Sequence, residues 1–208
     1  MPALSDRATA TLRTIRWLPL IAAWIVGAVV VFLLREREAA TALQAVAILF
    51  ACGAGYAFDD PAAELLDPSP TSLLRRRIAR LALVLPPTIA IWLVLVGVQG
   101  PASSEEMWAV VALFAGLLGL SLSIAGVSER RSPTGRGGIV AAPALFVLVV
   151  ASSLVPPRWR PLPMGDVPGG WTPIYLRWSA AAAIGLFVLL WSSRDRAHGS
   201  MRRRILHH

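Results

Sequence analysis

The chain contains no lysine: all twenty of its basic residues are arginine. A Walker A phosphate loop, a Schiff-base lysine and a lysine general base each depend on an ammonium group, so none can be built from it. Any nucleotide hydrolysis linked to this protein must therefore belong to a partner. Histidine is confined to His198, His207 and His208, and Cys52 is the sole cysteine. A Cys/His zinc site, a disulfide framework and a buried histidine triad lack their parts, and no metal or cofactor is expected. Charge is scarce as a whole, 15% of 208 residues against 56% hydrophobic, where a soluble domain carries about a quarter charged. The arginine-for-lysine skew and the abundance of alanine point to GC-rich coding, as in actinobacteria.

What is present is apolar sequence in long pieces. Six runs of about 16 to 24 residues hold no Asp, Glu, Lys or Arg, close to the length that crosses about 30 Å of hydrocarbon at 1.5 Å per residue. The expected fold is an all-α membrane protein with six transmembrane helices at about 17–34, 39–58, 81–98, 107–127, 139–155 and 178–191. Ahead of them, residues 1–16 place Leu12, Ile15 and Leu18 at near-helical spacing among Arg7, Arg13 and Arg16. This reads as an amphipathic helix lying on the membrane surface, with Pro19 marking the bend into the first span. The eighteen uncharged residues of that span exceed a signal-peptide core of about 7 to 15, and no A-x-A pattern follows, so retention is expected.

Orientation follows from the arginines between the spans. With the N-terminus inside, the inner segments hold fifteen and the outer segments five, the positive-inside signature of a multi-pass protein of the bacterial plasma membrane with both termini cytoplasmic. Residues 194–208 form a basic cytoplasmic tail. The net charge of +8 is thus a topology signal. No nucleic-acid partner is expected, because the arginines are dispersed among loops without aromatic interleaving.

The spans carry little chemistry. Ion and proton pathways place carboxylates, His or Arg at depth, and these spans have none, which disfavours a proton-coupled carrier. Thr41, Gln44, Thr88, Ser121, Ser123, Ser152, Ser153 and Ser179 supply hydroxyl and amide groups suited to helix-backbone hydrogen bonds. Small residues recur at four-residue spacing: Ala47, Ala51 and Gly55; Ala115, Gly119 and Ser123; Ala181 and Gly185. Such ridges let helices approach closely where no water drives association, so these faces are expected helix contacts within one chain or between two.

The cytoplasmic segment between spans two and three is the most informative. Asp60-Pro61 is a helix start, and Asp67-Pro68 ends that short helix. The next helix runs into span three with Leu74, Ile78, Leu81 and Leu85 on one face, and Pro86-Pro87 is expected to kink it. Asp59, Asp60, Glu64 and Asp67 superficially resemble the acidic magnesium-diphosphate motifs of membrane prenyltransferases, although a second acidic cluster is missing. The same segment also reads as a transverse helix docking on a cytoplasmic partner, with Arg75, Arg76, Arg77 and Arg80 as its basic exit. As a third reading, it is a capped loop anchored by those arginines at anionic headgroups. The outer loop 156–177, with six prolines and three glycines, is expected to lack regular helix and to rest its Trp and Tyr residues at headgroup level.

The layout resembles a permease subunit of the drug and polysaccharide exporter class of ABC transporters. The likeness rests on the interfacial helix before Trp17, six spans with both ends inside, the short helix at Asp60 to Asp67 and the segment before span six. Asp59-Asp60-Pro61 followed by Arg75-Arg76-Arg77-x-x-Arg80 also looks like small actinobacterial permeases. The resemblance implies a non-catalytic subunit in the lipid bilayer, working with a separate ATPase subunit and a second permease copy or paralogue. It also implies that Asp59, Asp60, Glu64, Asp67, Arg75, Arg76, Arg77 and Arg80 form the coupling element. A structural or assembly subunit of a larger membrane complex stands as the alternative, and a magnesium-dependent membrane enzyme as a third.

Overall fold

A computed structural model of the chain describes residues 15–34, 39–59, 73–101, 103–131, 137–156, 162 and 170–193. Every regular element among them is helical: α1 (Trp17–Leu33), α2 (Ala39–Gly55, continued by a 3-10 turn at Tyr56–Phe58), α3 (Leu73–Gln99), α4 (Ser104–Arg131), α5 (Gly137–Ser153) and α6 (Thr172–Ser192). Among the described residues four stretches are long and apolar enough to cross a membrane: Ala39–Phe58, Leu74–Gln99, Ser104–Arg131 and Thr172–Ser192. The helices α1 and α5 are apolar but shorter, at 17 residues each. The interfacial helix expected before Trp17 and the short helix expected at Asp60 to Asp67 lie outside the described residues.

Close approaches at glycines fix how the helices run. Gly27 lies against Phe50 and Val46 while Gly53 lies against Leu20 and Ala23, so α1 and α2 are antiparallel. Gly137 opens α5 beside Ala125, near the end of α4. Gly116 meets Trp178 and Gly126 meets Ser192, which makes α4 and α6 parallel. Successive helices thus alternate in direction between two common ends. At one end α1, α3 and α5 begin and α2, α4 and α6 finish.

The two inner helices are α2 and α4, in each of which 67% of the most apolar window is buried, against 28% in α3 and 22% in α6. Between them Trp92 stacks on Phe114 (centroids 4.6 Å apart) and meets Phe50 edge-on at 6.3 Å. The outward faces are apolar as well: Leu18, Phe32, Leu154 and Phe187 stand exposed by 69 to 83%. Exposed apolar surface on this scale is a liability in water and a requirement in lipid. These features are those of a multi-pass helical membrane protein.

Because Trp92 is fully buried among rings that cannot collapse into its space, Trp92→Ala is expected to cost about 3 to 5 kcal/mol. Thermal unfolding in mild detergent checks this. Trp108, which is exposed, is the comparison, and its alanine variant should unfold near the wild-type temperature.

Helices α3, α4 and α6 overrun the expected span limits, whereas α1 and α5 stop at Leu33 and Ser153, short of 34 and 155. Hydrogen bonding runs on through charged turns that hydropathy excludes, so the helix expected around Leu74 and the span expected from 81 form one element from Leu73, and α4 reaches Ser104 and Arg131. The start of α4 is capped by Ser103, whose Oγ accepts from the Glu106 amide at 3.2 Å. The end of α3 is set by Gly100, whose φ of 61° no β-carbon tolerates well, followed by Pro101. Pro86 and Pro87 sit inside an unbroken helix, where the Thr88 hydroxyl donates to Val84 O at 2.7 Å. The break before α1 falls at Ile15 and Arg16, ahead of Pro19, because Pro19 lies in the first helical turn, where its missing N–H costs nothing. Helix α6 begins at Thr172, inside the segment expected to be irregular, since Pro173 at its first turn initiates rather than breaks a helix.

Candidate functional site

The two ends of the bundle differ sharply in charge. Among the described residues, Arg16, Arg75, Arg76, Arg77, Arg80, Arg130 and Arg131 gather with Asp59 and Glu129 at one end, against Arg177, Glu105 and Glu106 at the other. Seven arginines facing two carboxylates make the first end basic.

Arg77 is the centre of that end. It lies in the second turn of α3 and is only 4% exposed, a costly position that its two terminal nitrogens offset by hydrogen bonding, while its Nε has no partner among the described residues. One terminal nitrogen donates to Ser192 Oγ at 3.1 Å and Ser193 Oγ at 3.0 Å. The other donates to Gly126 O at 3.1 Å and Glu129 Oε2 at 2.8 Å. The guanidinium also lies 5.2 Å from the centroid of the Phe58 ring, a cation–π distance. Both serines pass their own protons to Leu189 O, at 2.9 and 2.7 Å, which turns their lone pairs toward the arginine. One side chain from α3 thereby fastens the ends of α4 and α6 and touches the end of α2.

Asp59 forms a second fastening. Fully buried, its Oδ1 accepts from the Gly138 amide at 2.7 Å, capping the first turn of α5 from another helix and countering the positive end of its dipole. Its Oδ2 lies 3.9 Å from an Arg16 nitrogen. Gly138 permits the approach, since a β-carbon there would lie 2.6 Å from Tyr56 Cα. Asp59→Ala is expected to cost about 1 to 2 kcal/mol by leaving the first turn of α5 uncapped. Arg16→Gln should cost well under 1 kcal/mol, because the half-exposed Arg16 side chain is screened. Hydrogen exchange at the Gly138 amide, faster in the Asp59 variant alone, reads the difference.

The other expected site residues divide. Arg80 is buried on the same stripe as Arg77, Arg76 is half-buried, and Arg75 is exposed. Asp60, Glu64 and Asp67 lie outside the described residues. Since Asp59 and Arg77 are buried and engaged inside the bundle, neither presents a surface to a partner; each could act on one only by positioning helices. Among the described residues no group of three His, Cys, Asp or Glu is placed to hold a metal ion.

The small residues lie mostly on helix contacts. Ala47, Ala51 and Gly55 are buried, and Ser121 Oγ on α4 donates to Ala51 O at 2.6 Å. Gly119 and Gly185 meet backbone to backbone, Ala181 packs against the core beside them, and Ser123 is buried and donates to Leu120 O. Ala115 is exposed. The ridge there passes through Gly116 instead, because the Trp178 side chain and its carbonyl occupy the space above that residue. Sequence reasoning also missed Glu129, Ser192 and Ser193. The adjacent serines closing an apolar run were the one signal that could have pointed to them.

No protein-family model matches the chain, and comparison with curated proteins and with solved structures gives no match. The functional reading rests on the chain's own residues.

Proposed function

We propose that this protein is a six-pass, non-catalytic subunit of the bacterial plasma membrane, the permease part of an ATP-driven exporter. In this reading both termini are cytoplasmic, a separate ABC ATPase supplies the energy, and a second permease copy or paralogue completes the path through the bilayer. The observation that carries it is the Arg77 fastening. Residues 59–80 leave α2 and enter α3, the arginine sits where that segment becomes α3, and its hydrogen bonds join α3 to the ends of α4 and α6. A push from an ATPase on the segment would reach three helices at once. The absence of lysine, and with it of a phosphate loop, supports an external motor.

The test is purification in mild detergent together with the products of neighbouring genes. An ATP-hydrolysing subunit is expected to stay bound and to lose substrate-stimulated turnover when Arg75, Arg76 and Arg80 are changed to glutamine with assembly intact. A purified, folded chain that brings down no ATPase, with none encoded beside it, would sink the reading. One observation favours a structural or assembly subunit instead: the interior between α2, α3 and α4 is filled by Phe50, Trp92 and Phe114. That alternative predicts that the same triple variant breaks assembly and leaves any turnover rate of the assembled fraction unchanged.

A further inference from the structure

We infer that the open groove between α4, α5 and α6 at the basic end seats the headgroup region of an anionic phospholipid. The inference rests on the bilayer setting of the proposed function and is independent of any ATPase partner. The groove encloses about 440 Å³, within the range of ligand clefts. Among the described residues its polar lining is Ser123, Ser128 and Arg131, and its apolar lining is Ile124, Val127, Val140 and Val188.

The order of these residues along the helix axis matches a lipid. Arg131 is the last residue of α4, and Ser123 lies eight residues earlier, about 12 Å deeper at 1.5 Å per residue. Val140 and Val188 lie three and four residues from the ends of α5 and α6, about 4.5 and 6 Å in. Arg131 and Ser128 thus stand nearest the rim, with Val127, Val188 and Ile124 below them and Ser123 deepest, so charge and hydroxyl come before the apolar stretch on entering the membrane.

The two donors nearest the rim are also uncommitted. Ser123 spends its proton on Leu120 O, but Ser128 and Arg131 make no hydrogen bond or ion pair among the described residues. Neighbouring Arg130, in contrast, is held by Trp191, donating to its carbonyl at 2.7 Å and lying 4.3 Å from its ring centroid. Charge selects the anionic class, since among the described residues seven arginines face two carboxylates at this end and basic recesses between helices favour anionic headgroups. Val140 is half exposed, which leaves the groove open to lipid from the side.

The test is native mass spectrometry of the full chain released from nanodiscs of phosphatidylcholine doped with phosphatidylglycerol. Wild type is expected to retain one phosphatidylglycerol with a preference of about five-fold or more over phosphatidylcholine, and Arg131→Gln to lose about five-fold of it, one arginine's share of headgroup attraction. Arg75→Gln, an exposed arginine outside the groove, should change little. Val188→Trp, which fills the apolar floor, should lower retention of both lipids. The proposal is overturned if the two lipids are retained equally, or if Arg131→Gln matches Arg75→Gln, which would mean diffuse surface charge. It is also overturned if soluble glycerophosphate displaces the lipid at equal concentration, which would mean a phosphate site without a chain. Should Val188→Trp not fold, the Arg131 and Arg75 pair decides alone.

Discussion

Replacing Arg77 by methionine is expected to lower the midpoint of thermal unfolding in mild detergent by roughly 5 to 15 °C. The change deletes four hydrogen bonds, to Ser192, Ser193, Gly126 O and Glu129, and strands the Glu129 carboxylate, whose side chain is only 16% exposed. Leaving one member of such a set without its partner costs about 2 to 4 kcal/mol, and each kcal/mol is worth about 2 to 4 °C in a chain of this size. The stranded charge is the largest part of the loss, so adding Glu129→Gln to the methionine variant should recover part of the midpoint. Arg77→Lys should not recover it, because an ammonium cannot span two hydroxyls, a carbonyl and a carboxylate in the plane that the guanidinium fork occupies. If lysine restores wild-type stability, or the double variant is as unstable as the two single losses added together, the fastening is not what joins these helices.

Arg77 also shows why part of this site was legible in the sequence and part was not. The helix beginning near Leu74 and running through Leu85 was readable from its period, and so was the cluster Arg75 to Arg80. Which way the helix faces was not. In water the apolar side of such a helix turns inward, whereas Leu74 and Ile78 are exposed and Arg77 and Arg80 are buried. Lipid reverses the rule: it accepts leucine and isoleucine and drives the guanidinium toward partners. The stripe Arg77, Arg80, Val84, Thr88 and Trp92, all buried, has helical spacing, but only knowledge of the solvent tells which stripe is inside.

Length and apolarity made the helices themselves readable, because each run had to satisfy its own backbone in hydrocarbon. Their ends were harder to place, since the polar turns at Arg75 to Arg80 and Ser128 to Arg131 continue the hydrogen-bond ladder after hydropathy has stopped reporting it. The bond from Gly138 to Asp59 joins residues 79 apart, and no local pattern encodes it.

The α4–α6 contact yields the second large effect. Gly185→Ala is expected to destabilise by about 1 to 3 kcal/mol, and Gly185→Leu by more, because a β-carbon at residue 185 would lie 2.6 Å from Gly119 C and 2.8 Å from Gly119 O. Both atoms are backbone, so no rotamer relieves the clash and the two helices must part along their length. Alanine should otherwise help a helix by about 0.5 to 1 kcal/mol over glycine, and two other glycines isolate that gain. At Gly97 a β-carbon meets nothing within 4 Å, so Gly97→Ala should be neutral or slightly stabilising. At Gly119 the nearest atom would be Ala182 O at 3.4 Å, at the edge of ordinary contact, so Gly119→Ala should lie near neutral although it faces the same crossing. Thermal unfolding of the three alanine variants should therefore rank Gly185 far below Gly119, and Gly119 at or just below Gly97. Equal midpoints for all three would mean that α4 and α6 are not held at backbone contact, and that exposed α6 owes its place to the Arg77 fastening at its end instead.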